Sequence, residues 1–188
     1  MKLQTALVLS LLAGCGGLPK AGPQAALYDF GITASERPLT TLPIRLEAVE
    51  ALPGLNGSEI RYRLAYQNPA RVFAYTESRW SAPPDKLLAQ RLQKQFLSTG
   101  PSPCTLRITL ETFDHVLDTP QTSRGIVRLT ATLSRSKKHE PPLQTHVSTE
   151  LPATSADARG GVAALTAAAN LAAAQVTDWA AAQCHGNQ

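Results

Sequence analysis

The chain has 188 residues, of which 43% are hydrophobic and only 5% aromatic, and it carries a formal net charge of +4. That length suits one domain with a tail, its core built largely from Ala, Leu and Val. The basic residues are spread along the chain without an aromatic-basic pattern, which argues against nucleic-acid binding and leaves only a weak attraction to anionic membrane surfaces.

Residues 1–14, MKLQTALVLSLLAG, combine a positive Lys2 with a short apolar run. The run is too short to span a bilayer as a mature helix. Leu12-Ala13-Gly14-Cys15 matches the lipobox of bacterial lipoproteins. Residues 1–14 therefore read as a lipoprotein signal peptide, and Cys15 as the lipidated (palmitate-bearing) first residue of the mature chain; an ordinary secretory signal is the plainer alternative. Gly16 stands where an Asp would mark inner-membrane retention, so the same resemblance points to the outer membrane. Several acyl chains on one cysteine anchor stably, since each buried methylene adds roughly 0.8 kcal/mol. Residues 15–26, rich in Gly, Pro and Ala, form the lipidated cysteine and a flexible tether. A single domain is expected over 27–185.

Within it, Leu42, Ile44, Leu46 and Ala48 alternate with polar residues and Pro43, which predicts a half-buried strand. A turn follows at Pro53, Gly54, Asn56 and Gly57. Ile60, Tyr62 and Leu64 make a second strand, broken by Asn68-Pro69, and residues 71–76 a third that leads into Trp80. Pro83 and Pro84 suit a first helical turn, where a missing N–H costs nothing. Leu88, Leu92 and Phe96 then form one apolar helical stripe, with Asp85 at the positive end of the helix dipole. Trp80 sits at the strand-to-helix corner and is expected to be a buried anchor with its indole N–H bonded at the edge; a ligand-stacking Trp is the alternative.

Gly100 and Pro101 stop that helix. Leu106, Ile108 and Leu110 alternate in a strand, with Phe113 to Val116 as its candidate continuation. Val127, Leu129, Ala131 and Leu133 make a clear strand, and Leu143, Thr145, Val147 and Thr149 a weaker last one. Thr154 or Ser155 is expected to cap a final helix, with Asp157 in its first turn. Val162, Leu165, Ala169, Ala172, Val176 and Trp179 give it one continuous face, Trp179 being its second aromatic anchor. Gly160 and Gly161 predict a ragged start. Strands, helix, strands and helix make an α+β fold: a mixed or antiparallel sheet with two amphipathic helices packed on one face.

Catalytic patterns are lacking. The sequence has no P-loop, dinucleotide-binding fingerprint or CxxC pair, and Ser78 and Ser81 lack a nucleophile-elbow context. Asp114, His115 and Asp118 are close in sequence, but on a strand Asp114 and His115 point to opposite faces. They read as polar decoration at a strand end, with a metal or catalytic cluster as the alternative. No enzyme, cofactor or metal site is expected. Lipidation would use Cys15 and leave Cys104 and Cys184 as an even pair in an oxidising compartment, which predicts a disulfide; two free thiols are the alternative. Loops 53–58 and 137–142, the latter with Lys137 and Lys138, are the candidate docking loops.

Arg79-Trp80-Ser81-Ala82-Pro83, followed by Leu87, Leu88, Leu92 and Phe96, resembles the ABC-type transport auxiliary lipoproteins, the PqiC-like family. Leu27-Tyr28-Asp29-Phe30-Gly31, just after the tether, resembles the start of that family's folded domain. The likeness covers most of residues 27–183. It implies a non-catalytic auxiliary component of an ABC or MCE-type lipid-transport system, held on the periplasmic side of the outer membrane and docked to an MCE-domain protein. It leaves a homo-oligomer open. A structural or assembly lipoprotein that plugs or chaperones an outer-membrane β-barrel would explain the lipid anchor and the missing catalytic site equally.

Overall fold

The computed structural model describes residues 24–32, 42–96, 101–136 and 140–185. The signal segment, Cys15, most of the tether, and Lys137 and Lys138 lie outside these. Among the described residues, seven strands and two helices follow in the order β1 (Ala26–Tyr28), β2 (Ile44–Ala51), β3 (Glu59–Leu64), β4 (Phe73–Trp80), α1 (Pro84–Gln93), β5 (Cys104–Leu117), β6 (Ser123–Arg135), β7 (Leu143–Pro152) and α2 (Ala158–His185). The fold is α+β: one mixed sheet with two helices packed on it.

The sheet is organised around β5. Its whole length pairs antiparallel with β6, and β6 pairs antiparallel with β7. The other edge of β5 is shared, with β2 running parallel to its first half and β3 parallel to its last three residues. β4 pairs antiparallel with β3, and β1 parallel with the end of β4. The alternation that predicts these strands is a burial pattern. Ile44, Leu106, Ile108, Leu110, Leu129, Ala131 and Leu133 are at most 1% exposed and face the helices.

The register of β5 shifts between Leu110 and Thr112. Before that bulge the even-numbered residues face the core; after it Phe113, His115 and Leu117 do. One extra residue has moved every following side chain to the opposite face. Asp114 is therefore turned to the helix-free face and His115 to the helix-covered one.

α1 is shorter than its stripe predicts. It ends at Gln93, yet Phe96 is still buried, because the N–H groups of Gln95 and Phe96 turn back to the carbonyl of Leu92. Leu87, Leu88 and Leu92 are the buried helical face, each worth about 1.5–3 kcal/mol against exposure. Pro83 is the N-cap and makes no side-chain cap bond. Asp85 is itself buried, its carboxylate 3.0 Å from Lys86 Nζ. Arg91 donates to the carbonyls of Phe30 and Gly31, fastening the segment after β1 to α1.

Trp80 is 1% exposed at the strand-to-helix corner, with the rings of Phe30 and Phe113 edge-on at 5.8 and 5.5 Å. The expected edge bond of its indole N–H is not made: Nε1 is buried and finds no acceptor among the described residues. The ring is wholly inside, so its polar atom never reaches the sheet edge. Trp179 is half-buried against the same core from the end of α2.

The start of α2 differs from its sequence reading. The N-cap is Asp157, not Thr154 or Ser155: Asp157 Oδ1 accepts the Gly160 N–H at 2.9 Å, and Ser155 Oγ donates to that same oxygen at 2.8 Å. Such a cap is worth about 1 kcal/mol. These bonds, the Gly160 amide first, hold the Asp157 carboxyl below its ordinary pKa. Gly160 and Gly161 fall inside the helix, and their reason is space. A Cβ on Gly160 would lie 2.1 Å from the Ser155 carbonyl, and one on Gly161 would lie 2.5 Å from His115 Nδ1. Where β6 passes beneath α2 the contact is closer than a side chain allows. A Cβ on Gly125 would sit 2.6 Å from the backbone nitrogen of Leu165. The alanines of α2 serve the same approach: Ala164, Ala168, Ala169, Ala172, Ala173 and Ala180 are all buried beside Val162, Leu165 and Val176.

Candidate functional site

Chemistry-bearing residues gather at the end of the sheet where β3 and β5 finish and β4 and β6 begin. On its helix-free face, the bulge in β5 buries Asp114, whose side chain is 2% exposed. Arg61 Nε lies 2.9 Å from Oδ1, and Arg63 Nε donates to Oδ2 at 2.6 Å. Alternation along β3 puts both arginines on the face of that carboxylate. Each then reaches a loop. Arg61 Nη1 donates to the Gly54 carbonyl in the turn after β2. Arg63 Nη1 donates to the Pro69 and Ala70 carbonyls, at 3.1 and 3.3 Å, in the 65–72 loop between β3 and β4. That loop is braced internally too, since Asn68 Oδ1 accepts the Ala70 N–H and the Gln67 and Asn68 amides donate to the Leu64 carbonyl. What it displays outward is Tyr66 and Val72, each 42% exposed, and Arg71, whose guanidinium lies over the Phe73 ring at 4.5 Å.

On the helix-covered face at the same end, His115 is fully buried. Its Nδ1 is 2.9 Å from the Tyr75 hydroxyl. The rings of Phe73, Tyr62, Tyr75 and His115 stack in a row, with centroids 5.1, 4.5 and 6.1 Å apart. Burial pushes the imidazole down to about 4, with the Asp157 carboxylate pulling the other way. Burial, then Tyr62 and Asp157, push the Tyr75 phenol up. At neutral pH both groups are uncharged. A neutral imidazole lets the Tyr75 O–H donate to Nδ1 and leaves Nε2, which has no partner among the described residues.

The three groups placed together by the sequence are thus not brought together. Asp114 and His115 face opposite sides, and Asp118 pairs with Arg124 at 3.3 Å. They are not decoration at a strand end either. The bulge and the cover supplied by α2 make Asp114 and His115 interior residues. Among the described residues, no cluster of three or more His, Cys, Asp or Glu could hold a metal, and no helix is long and apolar enough to cross a membrane. Arg61 and Arg63 carry no motif, and their role was missed in the sequence; the only available signal was their alternation beside a strand of uncertain parity.

At the opposite end of the sheet, a disulfide joins Cys104, at the start of β5, to Cys184, near the end of α2, with their α-carbons 6.1 Å apart. Of the two candidate docking loops, 53–58 is tied to Arg61 and tucks Leu55 into the core. The described part of 137–142 holds Glu140 in an ion pair with Arg135.

A family model described as the ABC-type transport auxiliary lipoprotein component matches residues 31–177. No curated protein matches the chain. Among solved structures, a protein from Xanthomonas campestris superposes with a TM-score of 0.70 at 15% identity, over 84% of this chain and 95% of that one. An uncharacterised protein superposes with a TM-score of 0.59 at 14% identity, over 84% and 97%. At such identities the likeness is one of fold alone.

Proposed function

Because the chain belongs to the ABC-type transport auxiliary lipoprotein component family, and is thereby a membrane-anchored envelope component of ABC-type transport, we propose that it works without catalysis, as a docking subunit held by a lipid on Cys15 to the periplasmic side of the outer membrane. Its partner in this reading is the MCE-domain protein of a lipid transporter. The observation that carries the proposal is the family match across 147 residues, counted from 31 to 177. The geometry supports it. The buried ionisable groups at the sheet end are committed to holding structure: Asp114 to two arginines and His115 to Tyr75. What the fold offers outward is a rigid sheet with braced loops, the usual platform for binding.

The lipobox at Cys15 makes the anchor testable. Wild-type protein should carry the mass of acyl chains and sediment with outer membranes, whereas Cys15→Ala should lose both properties. A wild type without acyl mass, or a variant that still sediments, would sink the anchor. Affinity purification of the acylated protein from envelopes, read by mass spectrometry, should recover an MCE-domain protein with ABC transporter subunits. Recovery of a single β-barrel protein in their place would select the barrel-assembly reading.

A further inference from the structure

We propose that the 65–72 loop is a second, lipid-contacting site, and that the anchored domain rests with this end of the sheet on the phospholipid surface. The inference builds on the lipidation of Cys15.

β1 runs parallel to β4, β4 antiparallel to β3, and β3 parallel to β5. Read back from Tyr28 to Ala26, β1 therefore points toward the end where β3 and β5 finish, which is the end that carries the 65–72 loop. Nine peptide steps separate Cys15 from Gln24, so the lipid lies within roughly 30 Å of the domain's entry point.

Of the large apolar side chains exposed among the described residues, Leu52 stands alone just after β2 and Leu171 alone on α2, and Leu27 and Ile32 flank the segment leading out of β1. Tyr66 and Val72 share one loop, with the exposed Arg71 beside them. An aromatic ring with a polar tip, an aliphatic group and an arginine suit the boundary between acyl chains and phosphates. Tyr is favoured at that depth, and the guanidinium bonds phosphate oxygens. The loop is also held in shape before any contact, through Arg63 and the buried Asp114, so docking it orders little new chain.

The test uses the full acylated protein in vesicles of phosphatidylethanolamine and phosphatidylglycerol with brominated acyl chains. Tyr66→Trp and, separately, Lys94→Trp introduce an indole at the loop and beyond the end of α1. Lys94 is exposed at the far end of the domain, near the half of α2 that carries Cys184. The native indoles give a low background, as Trp80 is in the core and Trp179 sits toward that far end. Acylation is verified first by mass. The indole at position 66 should then be quenched about twofold or more beyond the one at position 94, because bromines meet a ring lying ~5–10 Å into the interface. Val72→Trp should be quenched like Tyr66→Trp, and quenching at position 66 alone would trace the effect to that substitution and overturn the loop contact. Equal quenching at positions 66 and 94 in acylated protein overturns the loop contact and leaves the anchor standing. Absence of acyl mass overturns both. Shielding of position 66 from aqueous acrylamide without bromine quenching overturns the lipid site in favour of contact with a second copy of this chain.

Discussion

Replacing Asp114 with alanine should cost about 3 kcal/mol of folding stability, near the low end of what removing one member of a buried ion pair costs. The low end applies because the Arg61 and Arg63 side chains keep 20% and 25% of their surface in water, while Asp114 keeps 2%. The variant strands two guanidiniums beside a hole and releases their grip on the Gly54 and Pro69 carbonyls. Urea unfolding measures the first effect. Limited proteolysis measures the second, with new cleavage expected in 65–72 under conditions that leave β5 intact. A loss below about 0.5 kcal/mol, the level of an ordinary surface substitution, would mean that the arginines simply turn out to solvent and brace nothing. Replacing all three residues with apolar ones of similar volume should recover most of the stability and still loosen the loop, since buried ion pairs add specificity of position more often than net stability.

The second large effect belongs to the disulfide. Cys104→Ser with Cys184→Ser should destabilise the oxidised protein by about 3–4 kcal/mol. The chain-entropy model gives about 4–5 kcal/mol for a closed loop of this size, and measured values usually fall short of it; the sequence separation is 80 residues. The bond fastens the last turns of α2 to the first residue of β5. Its loss should fray the helix from that end while the Gly125 crossing and the Val162–Leu165 contacts hold the other. Chemical unfolding with and without reductant, on wild type and double variant, provides the measurement. Reductant should shift the wild type to the midpoint of the variant and leave the variant unchanged. A wild type indifferent to reductant would show that the bond adds nothing.

Most of the fold was legible because its signals are local. Alternation in Leu106–Ile108–Leu110 and in Val127–Leu129–Ala131–Leu133 has only one reading, and the spacing from Val162 to Val176 belongs only to a helix. The Cys104–Cys184 pairing followed from counting thiols after the lipobox. What stayed hidden depends on register between distant segments. Nothing in the sequence near Glu111 announces a bulge, so the parity of Asp114 and His115 could not be assigned, and two core residues read as surface polarity. Gly160 and Gly161 look like helix breakers until the His115 ring and the Ser155 carbonyl are placed against them. Thr154, Ser155 and Asp157 are all acceptable caps; which one serves is set by where the chain leaves β7 and must meet the sheet. The candidate site suffered most, being assembled from β3, β5 and two loops that share no motif.

The shared edge of β5 also dictates a timetable. From β5 onward the elements are consecutive and pair largely with their neighbours, β5 with β6, β6 with β7, and α2 back onto all three. Among the earlier strands only β3 and β4 pair as sequence neighbours. β2 pairs with β5 in a register that sets Ile44 against Cys104, a separation of 104 − 44 = 60 residues. Chains are made N-terminus first, and non-local parallel pairings form late. β2 and β3 therefore emerge with Ile44, Val49 and Ile60 unburied, and wait until a nucleus of residues 104–185 exists to receive them. Pulse-labelling hydrogen exchange during refolding should find amides of β5, β6 and β7 protected before those of β2, and protection of β2 first would refute this order. The vulnerable interval in the life of this protein is the one in which its first half has emerged and its second has not yet folded, because the apolar faces of β2 and β3 then have no sheet to join.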